Sequence, residues 1–140
     1  MKLQLKVQKF GSGKKEISCL VNPRACNETN LNYLPTTNKK AIAVIGAGPA
    51  GLAFSEIAAL RGHYVELFEA NDQIGGQFNL AKQIPGKEEF HETIRYFSTM
   101  LKKNGVVVNL NKKVQPIDLM GKNYDEVIVS TGVSARALDI

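Results

Sequence analysis

The stretch that most constrains this chain is a glycine-spaced turn between an apolar strand and an apolar helix. An apolar run at 41–45 is followed by Gly46, Gly48 and Gly51 in the spacing G-x-G-x-x-G, and an apolar helical pattern then covers 52–60. Gly46 permits the tight turn, Gly48 leaves space for a pyrophosphate beside the backbone, and Gly51 lets the helix approach the strand. The N–H groups and positive dipole end at the start of such a helix attract phosphates. The pattern therefore predicts a phosphate-binding turn.

A second apolar run and an acidic residue extend this pattern. The run covers 64–68 and ends on Glu69, which lies 21 residues after Gly48. At the end of a second strand, a carboxylate can accept both hydroxyls of an adenosine ribose and would repel a 2′-phosphate. The succession predicts the first βαβ unit of a dinucleotide-binding sheet and disfavours NADP at this site. A tight turn with a purely structural role is the alternative, and the agreement of strand, helix and spaced acid favours nucleotide binding.

The rest of the chain adds one longer helix and two further strands. A helix is predicted over 87–104, and polar irregular chain over 111–125. Strands are predicted at 106–110 and 127–131, both apolar and β-branched as buried parallel strands are. With right-handed crossovers the strand order is three, two, one, four, so the carboxyl ends of the strands meet at one crevice. The apolar stripe of the helix consists of Phe90, Ile94, Phe97 and Leu101.

Residues 1–40 differ from the remainder in charge and pattern. They hold eight Lys/Arg and two acids, a net +6, whereas 41–140 has a net charge of −1. The alternation over 2–9 indicates a half-buried strand, or an arm that pairs with a second chain. A turn is predicted at 10–15 and irregular structure over 18–29. Because aromatic residues are sparse, a solvated or interface-facing arm is favoured over a nucleic-acid-binding segment.

Composition limits the remaining classes of protein. No apolar run reaches the roughly 18 residues that span a bilayer, and the start lacks the apolar block of a signal peptide. We therefore expect a cytoplasmic protein with no membrane segment. Cys19 and Cys26 do not have a usual zinc spacing, and two thiols cannot complete a four-ligand site. From the residues alone, both are interpreted as ordinary reduced cysteines.

Several longer motifs carry a family resemblance. GAGPAG, FEA, GGQFNLAKQIPGKEEF and EVIVSTG together resemble the FAD-binding portion of bacterial 2,4-dienoyl-CoA reductases. These belong to the NADH:flavin oxidoreductase group, which includes trimethylamine dehydrogenase. SCLVNPRACNET is similar to the segment that closes the iron–sulfur site of that family. The resemblance covers roughly residues 10–136 and implies a Rossmann-like α/β fold over 41–140, as a partial FAD/NAD(P)-binding domain, behind an irregular N-terminal extension over 1–40.

The resemblance implies roles for individual positions, and none of them is catalytic. The positions expected to contact the pyrophosphate are Gly46, Gly48, Ala50, Gly51, Thr131 and Gly132. Glu69 would hold the adenosine ribose, Val114 would contact the adenine, and Ala70 is also among the cofactor-binding positions. Gly76 and Gln77 would lie along the flavin side, and Lys87 would approach the cofactor. Cys19 matches the fourth cysteine of the family's [4Fe–4S] cluster, and Cys26 matches a neighbouring cysteine that is not a ligand.

The chain also departs from the family pattern. The family has three closely spaced cluster cysteines just before the position of Phe10, where this chain has MKLQLKVQKF. A four-cysteine cluster therefore cannot form within this chain. The family's electron path runs from NADPH to FAD, the cluster, FMN and the substrate. The FMN barrel and the NADPH domain of such a parent enzyme are missing here, so the chain would supply the FAD step.

Three hypotheses follow. The first is an FAD-binding fragment of a 2,4-dienoyl-CoA reductase-like enzyme of unsaturated fatty-acid β-oxidation, inactive on its own. The second is the FAD domain of another two-dinucleotide reductase, such as a glutamate synthase small subunit or a thioredoxin reductase relative, although SCLVNPRAC argues against the latter. The third is a non-catalytic module that keeps an ADP site.

Overall fold

The N-terminal part of the chain contains a β-hairpin. The computed structural model describes residues 5–9, 15–19 and 22–133, and the chain divides into two compact units, 1–34 and 35–140. Strand β1 (Leu5–Lys9) pairs antiparallel with β2 (Lys15–Cys19), from Leu5 opposite Cys19 to Lys9 opposite Lys15. The strand predicted over 2–9 is thus confirmed at 5–9, and the rest of it lies outside the described residues.

The second strand of this hairpin corrects two predictions. The turn predicted at 10–15 does not include Lys15, and the irregular stretch predicted over 18–29 does not include its first two residues, because β2 extends through Cys19. The alternating β1 supplies β2 with its antiparallel partner. Residues 10–14 lie outside the described chain. Turns begin after β2, where Ala25 N–H donates to Asn22 O at 3.0 Å.

The second unit is built on a four-stranded parallel sheet. Its strands are β3 (Ala41–Ile45), β4 (Tyr64–Phe68), β5 (Val107–Asn109) and β6 (Glu126–Val129). The order across the sheet is β5-β4-β3-β6, and neighbouring strands are parallel. The predicted Rossmann-like α/β fold and its strand order are confirmed.

Four helices connect these strands. They are α1 (Pro49–Leu60), α2 (Phe78–Ala81), α3 (Glu89–Lys103) and α4 (Pro116–Leu119). Helix α1 begins before its apolar pattern because Pro49 occupies the first turn, where a missing N–H has no cost. Helices α2 and α4 were not predicted, so 111–125 is not wholly irregular. The start of α4 is closed by a capping box, in which Gln115 N–H donates to the Asp118 carboxylate at 2.8 Å.

The core lies between one face of the sheet and the two long helices. Leu52 of α1 and Leu67 of β4 are fully buried, and Leu101 of α3 is 1% exposed. The predicted stripe of α3 is confirmed, since Phe97 and Leu101 are buried and Phe90 and Ile94 are half-buried. Among the described residues, the buried members of this core are Ile42, Val44, Ala47, Leu52, Ala58, Val65, Leu67, Phe97, Leu101 and Val106.

The opposite face of the sheet is more open than the sequence predicts. Val127 and Val129 on this face are 45% and 72% exposed, and Val107 is 39% exposed, so the prediction of fully buried strands is wrong at both edges. The middle of this face is covered by the segment before β6. There the Tyr124 hydroxyl donates to the Glu66 carboxylate. Among the described residues, no helix combines the length and hydropathy needed to cross a bilayer.

A buried carboxylate joins α1 to α3. Glu56 of α1 is 7% exposed, and its Oε1 accepts a hydrogen bond of 2.6 Å from the Tyr96 hydroxyl. Burial of the phenol and its bond to Glu56 raise the pKa of Tyr96 from 10.0 to about 12. The neutral phenol is therefore favoured in the folded chain.

We predict that Tyr96→Phe lowers the free energy of unfolding at neutral pH by about 1–2 kcal/mol, because the buried Glu56 loses its donor. Because its pKa is raised in the folded state, Tyr96 contributes its full stabilisation below about pH 10, and this contribution is lost as the pH rises to about 12. The stability difference between parent and variant should therefore shrink across that interval. Chemical denaturation at a series of pH values measures it, with the exposed Tyr64→Phe as control. A difference that stays constant with pH would contradict the assignment.

Candidate functional site

A cleft of about 650 Å³ lies at the carboxyl ends of β3, β4 and β6. This is where parallel α/β sheets bind ligands. Predicted site residues that line it are Gly46, Gly48, Ala50, Glu69, Gly76, Gln77, Thr131 and Gly132. The structure thus brings residues from four separate segments of the chain to one site, and their roles in binding stay predictions.

Two glycines of the turn are required by the protein itself. A Cβ atom on Gly46 would lie 2.5 Å from Ser130 O, and Gly46 also has a φ of 104°. A Cβ atom on Gly51 would lie 1.9 Å from Gly46 O. Since real side chains do not approach backbone atoms so closely, β3, α1 and the end of β6 can meet only with glycine at these two positions.

Gly48 differs, because nothing in the protein excludes a side chain there. A Cβ atom on Gly48 would meet no atom within 4 Å, and its φ of −74° and ψ of 179° are open to any residue. Gly48 lines the cleft and precedes α1, whose start has no side-chain cap. The first N–H groups of a helix have no partner within the helix. The open space beside them fits a pyrophosphate that approaches the backbone.

A second glycine loop packs against this turn. Gly75 N–H donates to Ala47 O at 2.8 Å, and a Cβ atom on Gly76 would lie 2.9 Å from Gly48 Cα. The close approach explains Gly76, whereas Gly75 has a φ of 117°, which favours glycine. Gln77 follows, with an exposed side chain whose Nε2 donates to Val133 O at 3.3 Å.

Glu69 joins the end of β4 to the turn. Its side chain is buried, with 7% of the residue exposed. Oε2 accepts a hydrogen bond of 2.8 Å from Ala47 N–H. Oε1 accepts two, from Asn71 N–H at 2.9 Å and from Asn71 Nδ2 at 2.7 Å. These donors replace the water that a buried carboxylate loses.

Three contributors to the cleft were not among the predicted cofactor-binding residues. Ser130 Oγ lies 3.0 Å from Ile45 O and 2.9 Å from Gly46 O, so its hydroxyl holds the turn against the end of β6. Asn71 holds Glu69, and an Asn two residues after an acid was a readable signal because its amide can reach back locally. The third is the apolar wall that Phe78, Leu80 and Ala81 form, whose four-residue helix is too short to give a periodic signal.

Besides Gly51, three predicted positions do not line the cleft. Ala70 is exposed beside Glu69, and Lys87 is exposed just before α3. Val114 was expected at the adenine, but β5 ends at Asn109 and Val114 lies in the following loop. The cofactor contacts predicted for these three positions stay predictions. Gly51 also does not line the cleft, since it is buried behind the turn.

The cysteines lie in the other unit of the chain. Cys19 is buried at the end of β2, and its Sγ accepts a hydrogen bond of 3.4 Å from Asn22 N–H. Cys26 is exposed and has a φ of 63°. Over 5–9, 15–19 and 22–133, no group of three or more His, Cys, Asp or Glu side chains is placed to hold a metal ion. The cluster role of Cys19 stays a prediction about a longer protein.

Comparison with known proteins identifies the fold and its relatives. Residues 44–110 match the NAD(P)-binding Rossmann-like domain family. A metal reductase of Desulforamulus reducens is 38% identical over 122 residues, which are 84% of this chain and 18% of that protein. A bilirubin reductase of Mediterraneibacter gnavus is 34% identical over 119 residues, 85% of this chain and 19% of that protein.

A solved structure of another reductase is similar to this chain in both fold and sequence. The structure of a 2-naphthoyl-CoA reductase in complex with 2-naphthoyl-CoA superposes with a TM-score of 0.83 and 34% identity, over 89% of this chain and 19% of that one. The chain thus spans about a fifth of the length of the proteins that it matches. It carries a Rossmann-like domain that is similar to one segment of these larger reductases.

Proposed function

We propose that this chain binds FAD in the cleft, as one dinucleotide-binding domain of a larger flavin-dependent reductase. The observation that carries the proposal is the open Cβ position of Gly48, which lies in the same cleft as the buried carboxylate of Glu69. The first has room for a pyrophosphate and the second has the chemistry to hold a ribose. A dinucleotide with an unphosphorylated adenosine ribose matches both.

The chain's part in the reaction is binding and orientation. FAD supplies the electron-transfer chemistry when it is bound. The N–H groups at the start of α1 would hold its phosphates, and Glu69 its adenosine ribose. Among the described residues that line the cleft, Glu69 is the one with an ionisable side chain, and its oxygens already accept hydrogen bonds from Ala47 and Asn71. We therefore assign no acid, base or nucleophile to this chain.

We further propose that the larger protein resembles a 2,4-dienoyl-CoA reductase of unsaturated fatty-acid β-oxidation. In such an enzyme NADPH, a [4Fe–4S] cluster and FMN would be held outside this domain, with Cys19 as one cluster ligand. The motifs around Gly76 and Cys19 support this proposal, as does the similarity to a reductase whose name specifies a CoA thioester. With two cysteines in the whole chain, the remaining ligands would have to come from elsewhere.

An ADP-binding module without a flavin is a second candidate. On the adenosine side, the Glu69 carboxylate is buried and hydrogen-bonded. On the flavin side, Gln77 is exposed and its bond to Val133 is 3.3 Å long. This difference in burial and hydrogen bonding supports a site that is formed for ADP but is incomplete where the flavin would lie.

Ligand titration separates the two candidates. We expect FAD to bind with a Kd on the order of micromolar, about −8 kcal/mol, and at least about tenfold more tightly than ADP. NADP⁺ should bind far more weakly, because its 2′-phosphate would face the Glu69 carboxylate. Isothermal titration calorimetry of the purified chain with all three ligands measures this. Equal affinity for FAD and ADP would support the ADP module, and no binding of either would refute both.

Two variants distinguish a glycine that ligand binding requires from a glycine that the fold requires. We predict that Gly48→Val lowers FAD and ADP affinity at least about a hundredfold and costs only about 1 kcal/mol of stability as a changed helix cap. Gly51→Ala should instead destabilise the fold by about 3 kcal/mol or more, because its Cβ would overlap Gly46 O. Thermal melts with and without ligand measure both effects. Full ligand affinity in a folded Gly48→Val chain would contradict the site.

A further inference from the structure

The bonding of Glu69 limits what this carboxylate can still accept. A carboxylate has about four lone-pair positions, two on each oxygen. Asn71 fills both positions of Oε1, one through its backbone N–H and one through Nδ2. Ala47 N–H fills one position of Oε2. Three of the four positions are therefore occupied within the protein, and one position on Oε2 remains for a ligand.

This count conflicts with the expectation that Glu69 accepts both hydroxyls of a ribose. A two-hydroxyl contact needs two free positions, and the side chain of Asn71 holds the second one. The atom that faces Glu69 must be the amide nitrogen, because an amide oxygen there would oppose the carboxylate. Asn71 lines the same cleft as Glu69. Its backbone is held independently, since Asn71 O accepts a bond of 2.9 Å from Asn111 N–H.

We propose that Asn71 is a specificity-determining residue that restricts Glu69 to a single ribose hydroxyl. The inference rests on the proposed function, since it concerns the ribose of the dinucleotide bound there. The Asn71 amide occupies the acceptor position that the second hydroxyl would take. The site therefore depends strongly on one of the 2′- and 3′-hydroxyls and only slightly on the other.

Deoxy analogues of ADP test the proposal by calorimetry. In the unmodified chain, we expect one of 2′-deoxy-ADP and 3′-deoxy-ADP to bind at least about tenfold more weakly than ADP, as for a lost bond to a charged group. The other analogue should bind within about twofold of ADP. In Asn71→Ala, Oε1 gains a free position while the backbone bond from residue 71 persists. Both analogues should then lose affinity relative to ADP.

The control is Gln73→Ala, a change of an exposed side chain in the same loop that should keep the unequal pattern. A variant that merely loosened the loop would weaken all three ligands alike and leave their ratios unchanged. Equal losses for the two analogues in the unmodified chain would overturn the proposal even if Asn71→Ala failed to fold. An unequal pattern that persists in Asn71→Ala would also overturn it. Failure of the unmodified chain to bind ADP or FAD at all would instead refute the proposed function, and this inference with it.

Discussion

The close contact between the turn after β3, the start of α1 and the end of β6 is the constraint on which the rest of the domain depends. A Cβ on Gly51 would lie 1.9 Å from Gly46 O, and a Cβ on Gly46 would lie 2.5 Å from Ser130 O. The single O–H of Ser130 lies within hydrogen-bond distance of two carbonyl oxygens, those of Ile45 and Gly46. Helix α1 is thereby directed with its N-terminus at the cleft. A looser crossing would move the N–H groups that we propose to bind phosphate away from the Glu69 side chain.

The hydrogen bonds of Glu69 make the proposed binding site part of the network of contacts that holds the fold together. Its bond to Ala47 N–H connects the end of β4 to the turn after β3, across 22 residues of sequence. Its bonds to Asn71 fix the loop that follows. Because the carboxylate is positioned during folding, a ligand would not have to order it, and such preorganisation lowers the cost of binding. The same bonds reduce the number of acceptor positions that it can offer.

The local elements of this fold could be predicted from the sequence, and the long-range contacts could not. Glycine spacing and apolar runs sufficed for β3, α1 and β4, and crossover handedness gave the strand order. The contact of Ser130 with Gly46 spans 84 residues, and no local pattern reports it. The exposure of Val127 and Val129 was not predicted because the composition of a segment indicates that it forms a strand. Whether the strand is buried depends on what covers each face of the sheet.

The surroundings of the four glycines around the turn show which of them the fold requires and which one a ligand would require. Gly46, Gly51 and Gly76 each have a protein atom within 3.0 Å of the Cβ that they lack, so a tight turn with no ligand would also require them. Gly48 has no such atom and an ordinary extended backbone. A purely structural turn therefore explains three of these glycines and leaves the fourth without a reason. A ligand that approaches the backbone at Gly48 supplies that reason, so the support for a nucleotide rests on this one position more than on the spacing of the motif.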